Sequence, residues 1–178
     1  MTGLVHIYCG DGKGKTTAAV GSAVRAAGRG MSVLMVRFLK SDDSGEVIGL
    51  AHVPGLTLLP CDQNFGFSWE MSAVQKRAAS IYYKDMFNKA WEMAAGLDGE
   101  GGYDMLVMDE IIGACSLGFV DEDIVVEMLR AKPEELEVIL TGRGPSGQLA
   151  ECADYITEMV MRRHPYEQGI AAREGIEY

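Results

Sequence analysis

The segment that constrains this chain most is Gly10-Asp11-Gly12-Lys13-Gly14-Lys15-Thr16-Thr17. It follows an apolar run, Leu4 to Tyr8, and leads into an alanine-rich stretch, Thr16 to Ala27. Glycines at this density let backbone N–H groups converge on one concavity, where phosphate oxygens fit. A lysine offsets their charge, and a serine or threonine after it can hold Mg2+. Strand, glycine loop and helix in that order read as a nucleotide-binding loop of the Walker A type. Cys9 stands where the pattern has its first glycine; the loop instead carries Gly10, Gly12, Gly14 and an extra Lys13. A glycine turn with exposed lysines is the competing reading. It is disfavoured because the flanking strand and helix and a later acidic strand end agree with the loop.

The rest of the chain alternates strand-like and helix-like stretches. Ser32 to Phe38, Leu56 to Leu59, Met105 to Met108, Glu137 to Thr141 and Tyr155 to Met161 read as further strands. Gly28 and Gly30 stop the first helix. Ser72 and Gln75 have the spacing of a capping box, and Ala78, Tyr82, Met86, Ala90, Met93 and Leu97 then recur at helical spacing. Asp121 to Arg130 is a helix that stops before Pro133. Lys40 to Pro54 is polar and irregular and reads as a mobile loop, and His164 to Tyr178 has little periodicity. Alternation of this kind predicts one α/β domain of the P-loop NTPase (RecA-like) class. Its three αβα layers would enclose a mainly parallel sheet of about six strands. Ligands of such sheets sit at the carboxyl ends of the strands. Gly10 to Thr17, Phe65 to Glu70, Asp109-Glu110 and Thr141 to Gly144 all fall there.

Composition narrows the partners. The 178 residues suit a single domain with a full core. The formal net charge of −10 opposes binding to phosphate backbones, so nucleic acid is not expected. Against this acidity the basic residues Lys13, Lys15 and Arg25 stand out. Cys9, Cys61, Cys115 and Cys152 are far apart with no CxxC pair, which points to a reducing cytosol rather than a zinc or disulfide framework. No apolar stretch approaches the roughly 20 residues that span a bilayer, and no signal-peptide pattern opens the chain. A cytoplasmic protein without a membrane partner is expected.

Leu106-Val107-Met108-Asp109-Glu110 resembles a Walker B strand, whose carboxylates hold the metal directly or through water. Asp109 and Glu110 are therefore metal candidates beside Thr16. A Walker pair alone leaves the chemistry open, since kinases, ATPases and switches share it. Phe65-Gly66-Phe67-Ser68-Trp69-Glu70 places aromatics in a loop, where they either cap the core or bind something flat. Thr141-Gly142-Arg143-Gly144 sets an arginine at a strand end, either facing the phosphates or exposed in a glycine turn.

Taken together these segments resemble the P-loop ATP:corrinoid adenosyltransferases of the CobA type, over nearly the whole chain from Val5 to Tyr178. Gly10 to Thr17 followed by Ala18-Ala19 is similar to the family's G-N-G-K-G-K-T-T-A-A. Arg25 matches its helix arginine, and Phe67-Ser68-Trp69-Glu70 resembles its F-T-W-E segment. Leu106 to Glu110, Thr141 to Gly144, His164-Pro165-Tyr166 and Gly175-Ile176-Glu177-Tyr178 also look like family segments. Cys9 replaces an expected threonine and Asp11 a common asparagine. The N-terminal extension that some relatives carry over the active site is not seen.

The resemblance implies transfer of the 5′-deoxyadenosyl group of ATP to Co(I) of a corrinoid, with inorganic triphosphate leaving. It implies Mg2+ with ATP as co-substrate, a reduced flavin or flavoprotein as electron donor, and a homodimer. Lys15 and Glu110 would be catalytic, with Phe67 and Trp69 as corrinoid-facing aromatics. Gly10, Asp11, Gly12, Lys13, Gly14, Lys15, Thr16, Thr17, Arg25 and Arg143 would bind the nucleotide. Thr16, Glu110 and Asp109 would serve the metal. A small-molecule kinase is the alternative function for the same loop.

Overall fold

A computed structural model describes residues 2–40, 44–66 and 68–177. Ser41 to Asp43, Phe67 and Tyr178, which figure in the sequence reading, lie outside the described residues. The strands are β1 (Val5–Cys9), β2 (Val33–Arg37), β3 (Leu56–Leu58), β4 (Met105–Asp109), β5 (Glu137–Thr141) and β6 (Tyr155–Glu158). They form one sheet in the order β3-β2-β4-β5-β1-β6, and every neighbouring pair is parallel. β5 therefore separates the strand that feeds the glycine loop from the strand that ends in Asp109.

Side chains alternate across a strand, and here both faces are apolar. Val5, Ile7, Leu34, Val36, Leu106, Met108, Val138 and Leu140 enter one core. Val33, Met35, Met105, Val107 and Ile139 enter the other. The first core is covered by α3 (Ala73–Ala94), α4 (Ile111–Ser116), α5 (Glu122–Arg130) and α6 (Gly147–Glu151). The second is covered by α1 (Lys15–Ala27) and by α2 (Gly45–Leu50) through Leu50. Ala19, Ala23 and Ala26 are the buried alanines of α1, so the helix lies close over β4 and β5. This is the predicted three-layer α/β architecture.

Three expectations change in detail. Lys40 to Pro54 is not loop throughout, because α2 starts at Gly45 with Ser44 at its N-cap. Six residues with one buried anchor, Leu50, are too few for a visible period. The long helix ends at Ala94 rather than Leu97, because Gly96 takes a positive φ of 70° and Leu97 is exposed. The sixth strand ends at Glu158. Met159 to Met161 continues as an arm along the glycine loop, where Met159 N–H donates to Cys9 C=O (2.8 Å) and Gly12 N–H donates to Met159 C=O (2.7 Å). Among the described residues no helix is long and apolar enough to cross a membrane.

The capping box of α3 is present. Ser72 Oγ accepts from Gln75 N–H at 3.3 Å, and Ser72 N–H donates to Gln75 Oε1 at 2.9 Å. Ser72→Ala should lower stability by about 1 kcal/mol. Urea unfolding should show a lower midpoint with an unchanged slope.

Candidate active site

The glycine loop owes its shape partly to the arm beside it. A Cβ on Gly10 would lie 2.4 Å from Met159 C=O, and one on Gly12 would lie 2.7 Å from it. These two glycines are needed for close chain approach. Gly14 has open space around it but holds φ at 115°, which a side chain disfavours. Asp11 Oδ1 accepts from Met161 N–H at 3.0 Å, and that bond holds its carboxyl below the usual range. Asp11 thus borders the site and fastens the arm to the loop.

α1 points its N-terminus into a cavity of about 340 Å3. Free N–H groups and the helix dipole make such an end an anion seat. Gly12 to Thr17 line the cavity together with Lys40, Glu110, Arg143 and the chain end Gly175 to Glu177. Lys15 is buried, and its Nζ donates to Gly12 C=O at 2.9 Å. Burial pushes its pKa down, with the nearby Glu110 acting in the opposite direction. Lys13 lies 3.8 Å from Glu177. Glu177 also pairs with Arg173 at 3.0 Å, which brings its carboxyl down to about 2. A second cavity, about 670 Å3, lies across Gly12 and Lys13 and is bordered by Met161 to Tyr166 and Ile170 to Arg173.

Asp109 is wholly buried at the end of β4 and is saturated with donors. Thr16 Oγ1 donates to its Oδ1 at 2.9 Å, and Thr141 Oγ1 donates to the same oxygen at 2.7 Å. Lys40 Nζ donates to Oδ2 at 2.6 Å and to Thr16 Oγ1 at 2.7 Å. Thr141 Oγ1 in turn accepts from Glu110 N–H at 2.8 Å. Leu39 and Glu110 hold positive φ values of 58° and 61°, Leu39 two residues after β2 and Glu110 directly after the adjacent β4. Left-handed backbone at non-glycine residues is costly and clusters at functional sites. Here it turns the residues that follow β2 and β4 around the cavity. Burial raises the Glu110 pKa, and the charge of Asp109 adds to the rise.

The structure therefore brings together Gly10 to Thr17, Asp109, Glu110 and Arg143. Gly142 and Gly144 flank Arg143 with positive φ, and a Cβ on Gly142 would lie 2.6 Å from Ile112 Cβ, so the turn that aims the arginine is sterically set. Arg25 lies apart from this group. It sits exposed in the last turn of α1 and does not line the cavity. Ten residues of helix put it about 15 Å along the axis from Lys15. Trp69 is 75% exposed in the turn before α3 and lies away from the cavity lining. Phe65 takes the other course open to loop aromatics and packs on Tyr82 and Tyr83, with ring centroids at 5.7 and 5.8 Å. Lys40 carries no signal in the sequence beyond being a lysine shortly after a buried strand, and its place beside Asp109 depends on β2 lying next to β4.

A carboxyl with a raised pKa binds its proton more tightly in the folded than in the unfolded chain. Its contribution to stability is full below the ordinary value of 4.5 and is lost as pH rises through the folded pKa. Glu110→Gln should therefore be more stable than the parent at pH 7, with the difference vanishing below pH 4.5. Urea unfolding across this range checks it, and a constant difference would refute it.

The geometry agrees with sequence comparisons. The profile of the family described as ATP:corrinoid adenosyltransferase BtuR/CobO/CobP matches residues 1–178. The corrinoid adenosyltransferase of Pseudomonas aeruginosa is 33% identical over 99% of this chain and 84% of that protein. That of a Sinorhizobium species is 35% identical over 99% of this chain and 80% of that protein. Among solved structures, EssC (ATPases 2 and 3) from Geobacillus thermodenitrificans matches with a TM-score of 0.54. It is 12% identical over 97% of this chain and 35% of that one, a likeness of fold alone. The chain belongs to the ATP:corrinoid adenosyltransferase family.

Proposed function

We propose that this protein transfers the 5′-deoxyadenosyl group of ATP to Co(I) of a corrinoid and releases inorganic triphosphate. The observation that carries the proposal is one cavity in which Lys13, Lys15, Lys40 and Arg143 surround the N-terminus of α1. So many cations suit a leaving group that departs with all three phosphates. The cobalt electron pair forms the Co–C5′ bond while the C5′–O bond breaks, and its electrons leave with the triphosphate. The nucleophile carries no proton, so no general base is needed. Catalysis then rests on positioning and on stabilising charge at the leaving oxygen.

Mg2+ fits the acidic end of the cavity. Thr16 Oγ1 and Asp109 Oδ2 already converge on a cation, the Lys40 ammonium. Among the described residues no group of three His, Cys, Asp or Glu side chains could hold a metal by itself. That matches an ion held by one or two carboxylates together with substrate phosphates. Thr16 and Glu110 would be its ligands, with Asp109 acting through water. The ion would neutralise phosphate charge. Cobalamin, cobinamide and cobyrinic acid diamide are the substrate candidates, in biosynthesis or salvage. A reduced flavin or flavoprotein would supply the electron. The working form would be a cytoplasmic homodimer.

Incubation with ATP, Mg2+ and anaerobically reduced cobalamin should yield adenosylcobalamin and triphosphate. ADP in place of triphosphate would support a kinase, and no adenosylcobalamin would refute transfer. Lys15→Ala should bind ATP weakly and lose transfer by at least about a hundredfold. Wild-type turnover would exclude its role.

Phe67 and Trp69 are proposed to displace the lower axial ligand of cobalt, and the exposure of Trp69 supports a surface that a flat substrate covers. Losing that donor lowers the orbital that accepts the electron. The Phe67→Ala, Trp69→Ala double variant should be impaired more with Co(II) corrinoid than with chemically supplied Co(I). Equal losses on both would count against ligand displacement.

A further inference from the structure

Lys40 raises a question that the proposed chemistry leaves open. Its ammonium bridges Thr16 Oγ1 at 2.7 Å and Asp109 Oδ2 at 2.6 Å. Thr16 is proposed to ligate Mg2+ directly and Asp109 through its water. Two cations do not share such a pair of oxygens at these distances, since like charges in contact repel strongly. Asp109 is wholly buried, and a buried carboxylate without a counter-charge is costly. The ammonium that meets this need is only partly covered, at 27% exposure, and lines the phosphate cavity itself. Its backbone is fixed at the start of the turn. Phe38 N–H donates to Asp109 C=O at 2.8 Å, and Leu39 holds a positive φ of 58°. The long stem can swing while its root stays beside Asp109.

We infer that Lys40 is a tethered stand-in for the metal. In the empty site its ammonium occupies the cation seat formed by Thr16 and Asp109. When Mg2+ arrives with the nucleotide, the ammonium gives up that seat and swings along the cavity wall to the phosphates. Lys40 is thus a positioning residue that keeps the Thr16–Asp109 pair assembled before substrate binds. It also sets how strongly nucleotide binding depends on the metal. This inference rests on the proposed Mg2+ site.

The test is a ratio of two affinities, for Mg2+-ATP and for ATP in excess EDTA, measured by isothermal titration. Lys40→Met keeps the stem and removes the charge. Both affinities should fall, because the ammonium reaches the phosphates when Mg2+ is bound, but the loss should be much larger for metal-free ATP than for Mg2+-ATP. The ratio should rise on the order of tenfold, the scale of one charge-assisted hydrogen bond. Equal losses in both affinities would overturn the inference, because Lys40 would then be only a phosphate contact. No change in either would overturn it as well. Lys40→Gln gives the same comparison should Lys40→Met not fold. Thermal unfolding without nucleotide adds a second readout: Mg2+ alone should raise the midpoint of Lys40→Met more than that of the parent, and equal shifts would count against the stand-in role. Thr16→Val separates the two levels. If parent and Thr16→Val show the same ratio, the metal site itself fails and the Lys40 inference with it. If Thr16→Val lowers the ratio but Lys40→Met leaves it unchanged, only the Lys40 inference fails.

Discussion

The buried carboxylate of Asp109 ties the phosphate loop to the sheet. It accepts from Thr16 at the start of α1, from Thr141 at the end of β5 and from Lys40 just after β2. These partners can meet only because β2, β4 and β5 lie side by side and in parallel, with β1 next in line. A buried charge leaves little tolerance, since each missing donor would expose its desolvation cost. Registers of the strands and the position of α1 are thus coupled through one side chain. The same network sets Glu110, whose backbone N–H donates to Thr141 Oγ1.

The loop has a second support on its opposite side. The arm after β6 hydrogen-bonds to Cys9, Asp11 and Gly12, and it comes so close that side chains at positions 10 and 12 would collide with it. The loop is therefore preorganised between a buried polar network and a backbone arm. Preorganisation of this kind lets fixed dipoles and charges act on a leaving group without rearranging during the reaction. The chain end completes the rim. The 3.8 Å contact of Lys13 with Glu177 is an exposed ion pair of little energy.

The whole chain carries −10, whereas the cavity lining sets Lys13, Lys15, Lys40 and Arg143 against Asp11, Glu46, Glu110 and Glu177. Local cations in a recessed site focus the field there whatever the net charge. Glu110, raised by burial and by Asp109, carries the cost in stability of an acidic group buried within that cluster.

Much of this was legible in the chain itself. Apolar runs marked the five strands from β1 to β5, glycine spacing marked the loop, and Ser72 with Gln75 marked the start of α3. Each of these signals is local, because strand burial, capping and phosphate loops depend on neighbouring residues. Short helices of five or six residues, α2, α4 and α6, left no period to read. Arg25 stands out in sequence as a cation near Lys13 and Lys15 and as a match to the family's helix arginine, but only the rise of α1 shows how far it lies from Lys15. Asp11 resembled a phosphate-loop residue, and only the arm of Met161 reveals what its carboxylate holds. Lys40 shows the limit most clearly: it is 69 residues from Asp109 in sequence. The sequence determined the loop, the acidic strand end and the layered fold, since these rest on local pattern. The tertiary structure alone decided which cation meets Asp109, because that follows from β2 lying beside β4 and from the left-handed turn at Leu39.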